Sequence, residues 1–334
     1  MNSAGQKKIS CAVIGLGGFG KHYVRLLSDN PRATLAAVIS PSALTREMSL
    51  GIETKRYTHA QGVFDDPAIN AVVIATPLNT HAALATAAIK AGKHVLLEKP
   101  FAVNLKEAEQ VKNMVTGSGT VFMLGHQYLY NDDVAALKHE IDRGRIGAVR
   151  YVHAEQLYAG PIRFDVGCFR EAATHEIALI DHLFSPGVPV SVQAGSIDLS
   201  GGMREDFAAV TINYANGLFA HIVVSQYSPI KSRRMIFGGD DGMALFDDQR
   251  TDDKVIFSLR PFPKSEKMTQ TRSLPIPSGE TFTPKIAVRK EPLAQEIEHF
   301  LNCIESGTTP RSDITHAMRV ETVLAEVARV MNIA

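Results

Sequence analysis

Apolar and polar positions follow two different rhythms along this chain. Up to about residue 125, short apolar runs at 9–14, 35–39, 71–75, 95–97 and 121–124 alternate with stretches of helical spacing. Runs without a polar face read as strands buried on both sides, as a parallel sheet requires. After the first run, Phe19, Tyr23, Leu26 and Leu27 recur at helical spacing. Residues 80–91 are alanine-rich and stop at Gly92, and Asn104 with Glu107 has the capping-box spacing that opens a helix over 105–116. This strand–helix alternation predicts a doubly wound parallel sheet of the Rossmann type.

Beyond residue 125 the rhythm changes. A helix over 132–143 gives way to longer strands. Residues 206–214 and 218–225 flank Asn216-Gly217, a hairpin signal, and the turn at 238–242 precedes a further strand at 244–246. Residues 261–285 carry five prolines and many polar residues and read as a long excursion. Two amphipathic helices close the chain. Pro292 starts the first, ahead of Leu293, Ile297, Phe300, Leu301 and Ile304, and Ser312 is the expected cap of the second. The pattern predicts an α/β chain of two domains: a Rossmann domain over 1–125 and, over 126–334, an α+β domain with a largely antiparallel open sheet. The final helices are placed to pack back on the first domain.

Composition narrows the function classes. Lys plus Arg and Asp plus Glu are 35 each, so no net field draws nucleic acid or an anionic membrane, and neither partner is expected. Cys11, Cys168 and Cys303 form no zinc or redox spacing, and so sparse a set fits a reducing cytoplasm. The opening residues 1–10 lack the apolar core of a signal peptide, and no apolar run is long enough to span a bilayer. A cytoplasmic protein is expected.

Chemistry enters at Gly15-Leu16-Gly17-Gly18-Phe19-Gly20, a G-x-G-x-x-G set between a strand and a helix. The first glycine allows the tight turn, the second lets backbone approach a pyrophosphate, and the third allows close strand–helix packing. The helix N-terminus then offers N–H groups to the phosphates. The end of the second strand, where an acidic residue would bind the ribose hydroxyls, reads Ile39-Ser40-Pro41-Ser42 with no carboxylate before Glu47. Ser40 and Ser42 can bond a 2′-phosphate, and Arg46 either reaches it or is an exposed helix residue. NADP or NAD is the expected cofactor, with NADP preferred.

Three further stretches converge. Thr76-Pro77 is followed by Asn79 and His81; residues 91–100 end in Glu98-Lys99-Pro100; and Glu171 precedes His175-Glu176-Ile177. Together with the glycine turn, they make the chain resemble the glucose–fructose oxidoreductase / inositol dehydrogenase / MocA family over nearly its whole length. The match is most specific through residue 150. Residues 160–166 are similar to members of sugar and polysaccharide pathways. The resemblance implies NAD(P)-dependent hydride transfer at a secondary alcohol or ketone of a sugar or nucleotide sugar. It adds Thr76, Pro77, Asn79, His81, Glu98 and Lys99 to the cofactor-binding residues. It assigns proton transfer to His175 and implies a homodimer or homotetramer working without metal; no metal-ligand spacing is present either.

The residues support that chemistry on their own terms. Lys99 follows a buried strand at the edge where open α/β sheets bind ligands, and Pro100 turns the chain there. A cation at that edge can stabilise a developing alkoxide or polarise a carbonyl. With 171–184 helical, Glu171, His175 and His182 share a polar stripe facing a cleft or solvent, opposite Ala173, Ile177, Ile180 and Phe184. An imidazole there suits a base for a hydroxyl proton. Glu171 stands where the family carries aspartate; as a third catalytic residue it either orients His175 or binds a substrate hydroxyl, or else it caps the helix start. Leu129 stands where relatives often carry arginine, which puts an anion contact there in doubt. Tyr128, Asn131, Gln156, Tyr158, Arg163 and Asp165 are substrate candidates, Arg163 either gripping a carboxylate or diphosphate or pairing with Asp165. Two other readings stay open: a non-sugar cyclic substrate, and a non-catalytic NAD(P)-binding sensor.

Overall fold

The computed structural model describes residues 8–41, 51, 53–160, 166–202, 204–260 and 279–333. Ser42, Arg46, Arg163, Asp165 and most of the 261–285 excursion lie outside them. Two compact units divide the chain: Met1–Gln127 with Glu291–Glu321, and Tyr128–Lys290 with Thr322–Ala334.

The first unit runs β1 (Ile9–Ile14), α1 (Gly18–Asp29), β2 (Ala33–Ile39), β3 (Lys55–Tyr57), α2 (Gln61–Phe64), β4 (Ala71–Ile74), α3 (His81–Lys90), β5 (His94–Glu98), α4 (Leu105–Val115) and β6 (Phe122–Gly125). Its sheet has the order β3-β2-β1-β4-β5-β6 with every pair parallel. This is the doubly wound order, which reverses direction between β1 and β4 and opens a crevice at their carboxyl ends. Val13, Val38, Val72, Leu96 and Leu97 are buried, which accounts for strands without a polar face. Three-residue β3 escapes a reading by apolar runs, because Lys55-Arg56-Tyr57 is a polar edge strand.

Helix ends follow local chemistry. Asn104 accepts from the Glu107 N–H at 3.0 Å, as the spacing predicts, but the Glu107 carboxylate turns back to Val103 N–H rather than to Asn104. Ser312 is not the cap of the last helix, α8 (Ile314–Met331). Asp313 Oδ1 accepts from His316 N–H at 2.8 Å, and the Ser312 hydroxyl donates to the Leu124 carbonyl at 2.7 Å. The preceding helix α7 (Pro292–Ser306) starts at its proline and ends at Gly307, whose φ of 67° is left-handed.

The second unit holds α5 (Asp132–Asp142), β7 (Val149–Ala159), a π-turn at Phe169–Ala173, α6 (Thr174–Phe184), β8 (Pro189–Ile197), β9 (Phe207–Tyr214), β10 (Phe219–Ser225), β11 (Tyr227–Gly239), β12 (Met243–Asp247), β13 (Val255–Leu259) and β14 (Glu280–Phe282). Its eight strands lie in the order β14-β13-β12-β11-β7-β10-β9-β8, antiparallel except for β10 with β7. The end of the expected excursion is therefore a strand, with Phe282 stacked on Phe257 of β13. Residues alternate between faces apart from register shifts in β8 and β11. Val152, Ala154, Val210, Ile212, Ile222, Phe237 and Phe246 are buried on one face, where Phe184 of α6 meets Phe237 at 6.1 Å. Each fully buried side chain of this size stabilises the fold by roughly 1.5–3 kcal/mol.

Candidate active site

In the first unit, the carboxyl ends of β1, β4 and β5 meet. Gly15 has a φ of 100°, and a Cβ there would sit 2.2 Å from the Ala75 carbonyl; one on Gly20 would sit 1.9 Å from the Gly15 carbonyl. Side chains at Gly17 and Gly18 would meet nothing within 4 Å, so the turn is packed from below and open above. Gly17 is the N-cap of α1 and makes no side-chain cap bond; the first turn holds no acidic residue. This cradle fits an anionic dinucleotide: backbone N–H groups, a positive dipole end and no competing carboxylate. Leu16 is buried beneath the turn and Phe19 is largely exposed on it. Ser40 ends β2 and donates its N–H to the Tyr57 carbonyl at 3.1 Å.

After β4, Thr76 and exposed Pro77 lead to a 3-10 turn over Leu78–Thr80, which leaves Asn79 exposed. His81 is 1% exposed, with Nδ1 2.8 Å from the Pro100 carbonyl and Nε2 2.9 Å from the Thr76 carbonyl. A neutral ring can donate to only one of these. His81 thus ties the β4 and β5 loops together, and its ring nitrogens face backbone rather than a ligand. Glu98 ends β5, buried, and accepts from Tyr23 Oη at 2.6 Å and from the Lys99 N–H at 3.0 Å. Lys99 follows, half-buried, before a cis peptide to Pro100.

The second unit contains a pocket with ≈ 220 Å³ of empty space. It is lined by Tyr128, Leu179, Met235 and Phe246 together with His175, Glu176, Arg233 and Arg234. Of the two settings expected for the stripe, cleft or solvent, His175 takes the cleft; it is 7% exposed, with its ring edge-on to Tyr128 at 5.0 Å. Nearly every residue of α6 is buried, and the π-turn before it breaks the 100° spacing that placed Glu171 in line with His175. Glu171 lies half-buried in that turn. Burial first, then the Glu171 charge, push the Tyr158 phenol above its ordinary range. His182 is half-buried two turns on.

Tyr128 anchors a polar network. It donates to Asp248 at 3.0 Å and accepts from Arg233, while Lys254 grips Asp248 at 2.8 Å. Burial raises the Tyr128 phenol; Arg233 opposes this, and Asp248 with Glu176 reinforces it, so the group stays a neutral donor. Arg234 is held by Glu155 through two bonds at 2.9 and 3.2 Å. Gln156 lies in register opposite Arg233, its Oε1 buried without a hydrogen-bond partner. Asn131, expected as a substrate contact, instead caps α5 by accepting from the Asp133 N–H at 2.8 Å.

Sequence reasoning missed Arg233 and Glu176 in the pocket, Asp248 behind Tyr128 and Arg233, and Tyr23 and Glu296 beside Glu98. For Arg233 a signal existed. Counting outward from the hairpin turn that pairs Gly238 with Met243 sets Arg233 opposite Asp248, whose N–H indeed bonds the Arg233 carbonyl at 2.9 Å.

Residues 9–126 match the family model described as oxidoreductase family, NAD-binding Rossmann fold, and residues 134–245 match the GFO/IDH/MocA C-terminal domain. The chain belongs to the Gfo/Idh/MocA family of oxidoreductases. Among its relatives, scyllo-inositol 2-dehydrogenase (NAD(+)) of Bacillus subtilis (strain 168) is 26% identical over 339 residues, covering 96% of this chain and 93% of that protein. UDP-N-acetylglucosamine 3-dehydrogenase from Acidithiobacillus ferrooxidans shares the fold with a TM-score of 0.80, at 24% identity and 98% coverage of each chain. The WlbA dehydrogenase from Bordetella pertussis, solved with NADH and UDP-GlcNAcA, has a TM-score of 0.80 at 19% identity, over 98% of this chain and 97% of that one. This Gfo/Idh/MocA member thus pairs an NAD-binding Rossmann unit with a largely antiparallel second unit. No helix among its described residues is long and apolar enough to cross a membrane.

Proposed function

We propose that this protein is a dehydrogenase or reductase that moves a hydride between NAD(P) and a secondary alcohol or ketone of a sugar-like ring. The observation that carries the reading is His175, an imidazole built into the wall of a pocket that mixes apolar and hydrogen-bonding side chains. Such a wall binds the two kinds of surface a sugar ring presents.

In this reading the glycine turn 15–20 and the N-terminus of α1 receive the diphosphate, and a bound nicotinamide supplies the hydride acceptor or donor. Lys99 stabilises the substrate oxygen as charge develops on it. His175 takes the hydroxyl proton during oxidation and returns it during reduction. Glu171 and Tyr158 flank the helix that carries His175, and Tyr128 holds its ring. Gln156, with a buried acceptor to satisfy, is a substrate hydroxyl contact.

The two pocket arginines are already paired, Arg233 with Asp248 and Arg234 with Glu155. Their charge is largely spent, which favours a neutral polyhydroxylated ring over a sugar acid at the reacting end. A nucleotide sugar or a free cyclic polyol meets that condition. Ser40 closing β2, in place of a carboxylate, favours NADP by accommodating a 2′-phosphate without repulsion. The outer face of the second sheet exposes Ile197 and Phe219, at 52% and 40%, and the adjoining β11 segment exposes Ile230 at 70%; these support a homodimer or homotetramer. Light scattering checks the assembly, and a monomer would contradict it. The reading itself is tested by following NADH and NADPH formation with inositols, sugars, nucleotide sugars and uronates. Turnover of neutral rings above uronates is expected; binding of nucleotide without turnover of any alcohol would overturn it.

A further inference from the structure

Tyr23 of α1 stands between two carboxyls of the first unit, Glu98 at the end of β5 and Glu296 in α7. The phenol oxygen lies 2.6 Å from Glu98 Oε1 and 2.9 Å from Glu296 Oε1. Tyr23 and Glu296 are 0% exposed, and Glu98 is 6% exposed. A phenol has one proton to give. Were both carboxyls ionised and the phenol proton given to Glu98, Glu296 would face only the lone pairs of the phenol oxygen, a buried charge without compensation. The cluster is satisfied when one carboxyl carries its own proton.

The surroundings decide which. Glu98 accepts twice: from Tyr23 over the shorter distance, and from the Lys99 N–H at 3.0 Å through its other oxygen. That is the pattern of an ionised carboxylate. Glu296 Oε2 is buried with no hydrogen-bond partner, so a negative charge there would be stranded. The titratable groups acting on Glu296 are Glu98 from β5 and Tyr23 from α1. Burial, then the Glu98 charge, push Glu296 well above its ordinary 4.5, against the opposing pull of the Tyr23 bond.

We propose that Glu296 is a positioning residue for Lys99: as a neutral acid it donates to Tyr23, which donates to Glu98, whose carboxylate holds the Lys99 backbone. The functional half of this inference rests on the proposed role of Lys99; the proton count does not. Ionising Glu296 would set two anions against one phenol and loosen the hold on the Glu98–Lys99 segment.

The test uses the whole protein with Glu296→Gln, Glu296→Leu and Tyr23→Phe. Gln keeps an N–H donor at every pH; Leu fills the volume and donates nothing. Infrared difference spectra between wild type and Glu296→Gln at pH 7 should show the C=O stretch of a protonated carboxylic acid in wild type alone. The melting temperature of Glu296→Leu should match or exceed wild type, since an unpartnered buried oxygen is removed. Its kcat should nonetheless fall about tenfold, as should that of Tyr23→Phe, while Gln stays within about twofold and extends activity to higher pH. A purely structural residue would not separate Gln from Leu in kcat at equal stability. Absence of the infrared band overturns the proton assignment, and wild-type kcat and pH profile in Glu296→Leu overturn the positioning role. If no alcohol is turned over by wild type, the dehydrogenase reading falls, and the spectrum still decides the proton.

Discussion

Two tyrosines, one in each unit, donate to a carboxylate in opposite surroundings. Tyr23 lies between Glu98 and Glu296, so acid meets acid and the cluster is relieved by a proton on Glu296. Tyr128 donates to Asp248, which Arg233 and Lys254 also grip, so anion meets cation and the cluster is relieved by pairing. The same phenol–carboxylate contact therefore means different things. In the first unit it belongs to a cluster whose proton rising pH can remove; in the second it belongs to a set of paired charges.

Breaking the ion-paired cluster should cost the most. Asp248→Ala leaves Arg233 and Lys254 facing each other in a half-buried place and should destabilise the protein by about 2–3 kcal/mol in urea unfolding. Glu296→Leu, an equally drastic change on paper, should lose nothing. Next comes pH. The folded-state pKa of Glu296 lies above the unfolded value of 4.5, so its contribution to stability is complete below pH 4.5 and is lost as pH rises toward the folded value. Wild type should therefore lose stability relative to Glu296→Gln at about 1 kcal/mol per pH unit at the steepest, measured by denaturation from pH 5 to 8. Glu205, whose pKa burial also raises, adds a slope of the same sign, and the difference between the two proteins removes it. Tyr128→Phe should cost about 1 kcal/mol by taking a hydrogen bond from Asp248 and another from Arg233. The smallest effect belongs to the half-exposed Arg234–Glu155 pair. Glu155→Gln should cost roughly 0.2–1 kcal/mol, and 1 M salt should erase the difference.

Legibility in the sequence also differed between the units. Strands of the first unit stood out because they are apolar on both sides, and the glycine turn announced itself by spacing; only polar β3 escaped. The second unit was readable as hairpins, through Asn216-Gly217 and the turn at 238–242, and its sheet is largely antiparallel as those turns require. Its pocket was not readable. The polar stripe of α6 depended on unbroken 3.6-residue spacing, and the π-turn at Phe169–Ala173 defeats that assumption. Asn131 and Ser312 show a related limit. Small polar residues at helix starts can cap, contact ligand or bond a distant carbonyl, and spacing cannot choose between Asp313 and Ser312 as the cap. Glu296 gave no local signal at all, since its partners lie 273 and 198 positions away in sequence, at Tyr23 and Glu98.

The central claim is that Lys99 and His175 handle the proton while a hydride passes to or from the nicotinamide. Its most direct test is the rate of NADH or NADPH formation from a neutral cyclic polyol or nucleotide sugar by wild type, Lys99→Ala and His175→Ala, with nucleotide binding measured on the same samples by fluorescence. The account predicts turnover by wild type and losses of about a hundredfold or more in each variant, with the dinucleotide still bound. Nucleotide binding in all three with equal rates, or with no turnover in any, would contradict it.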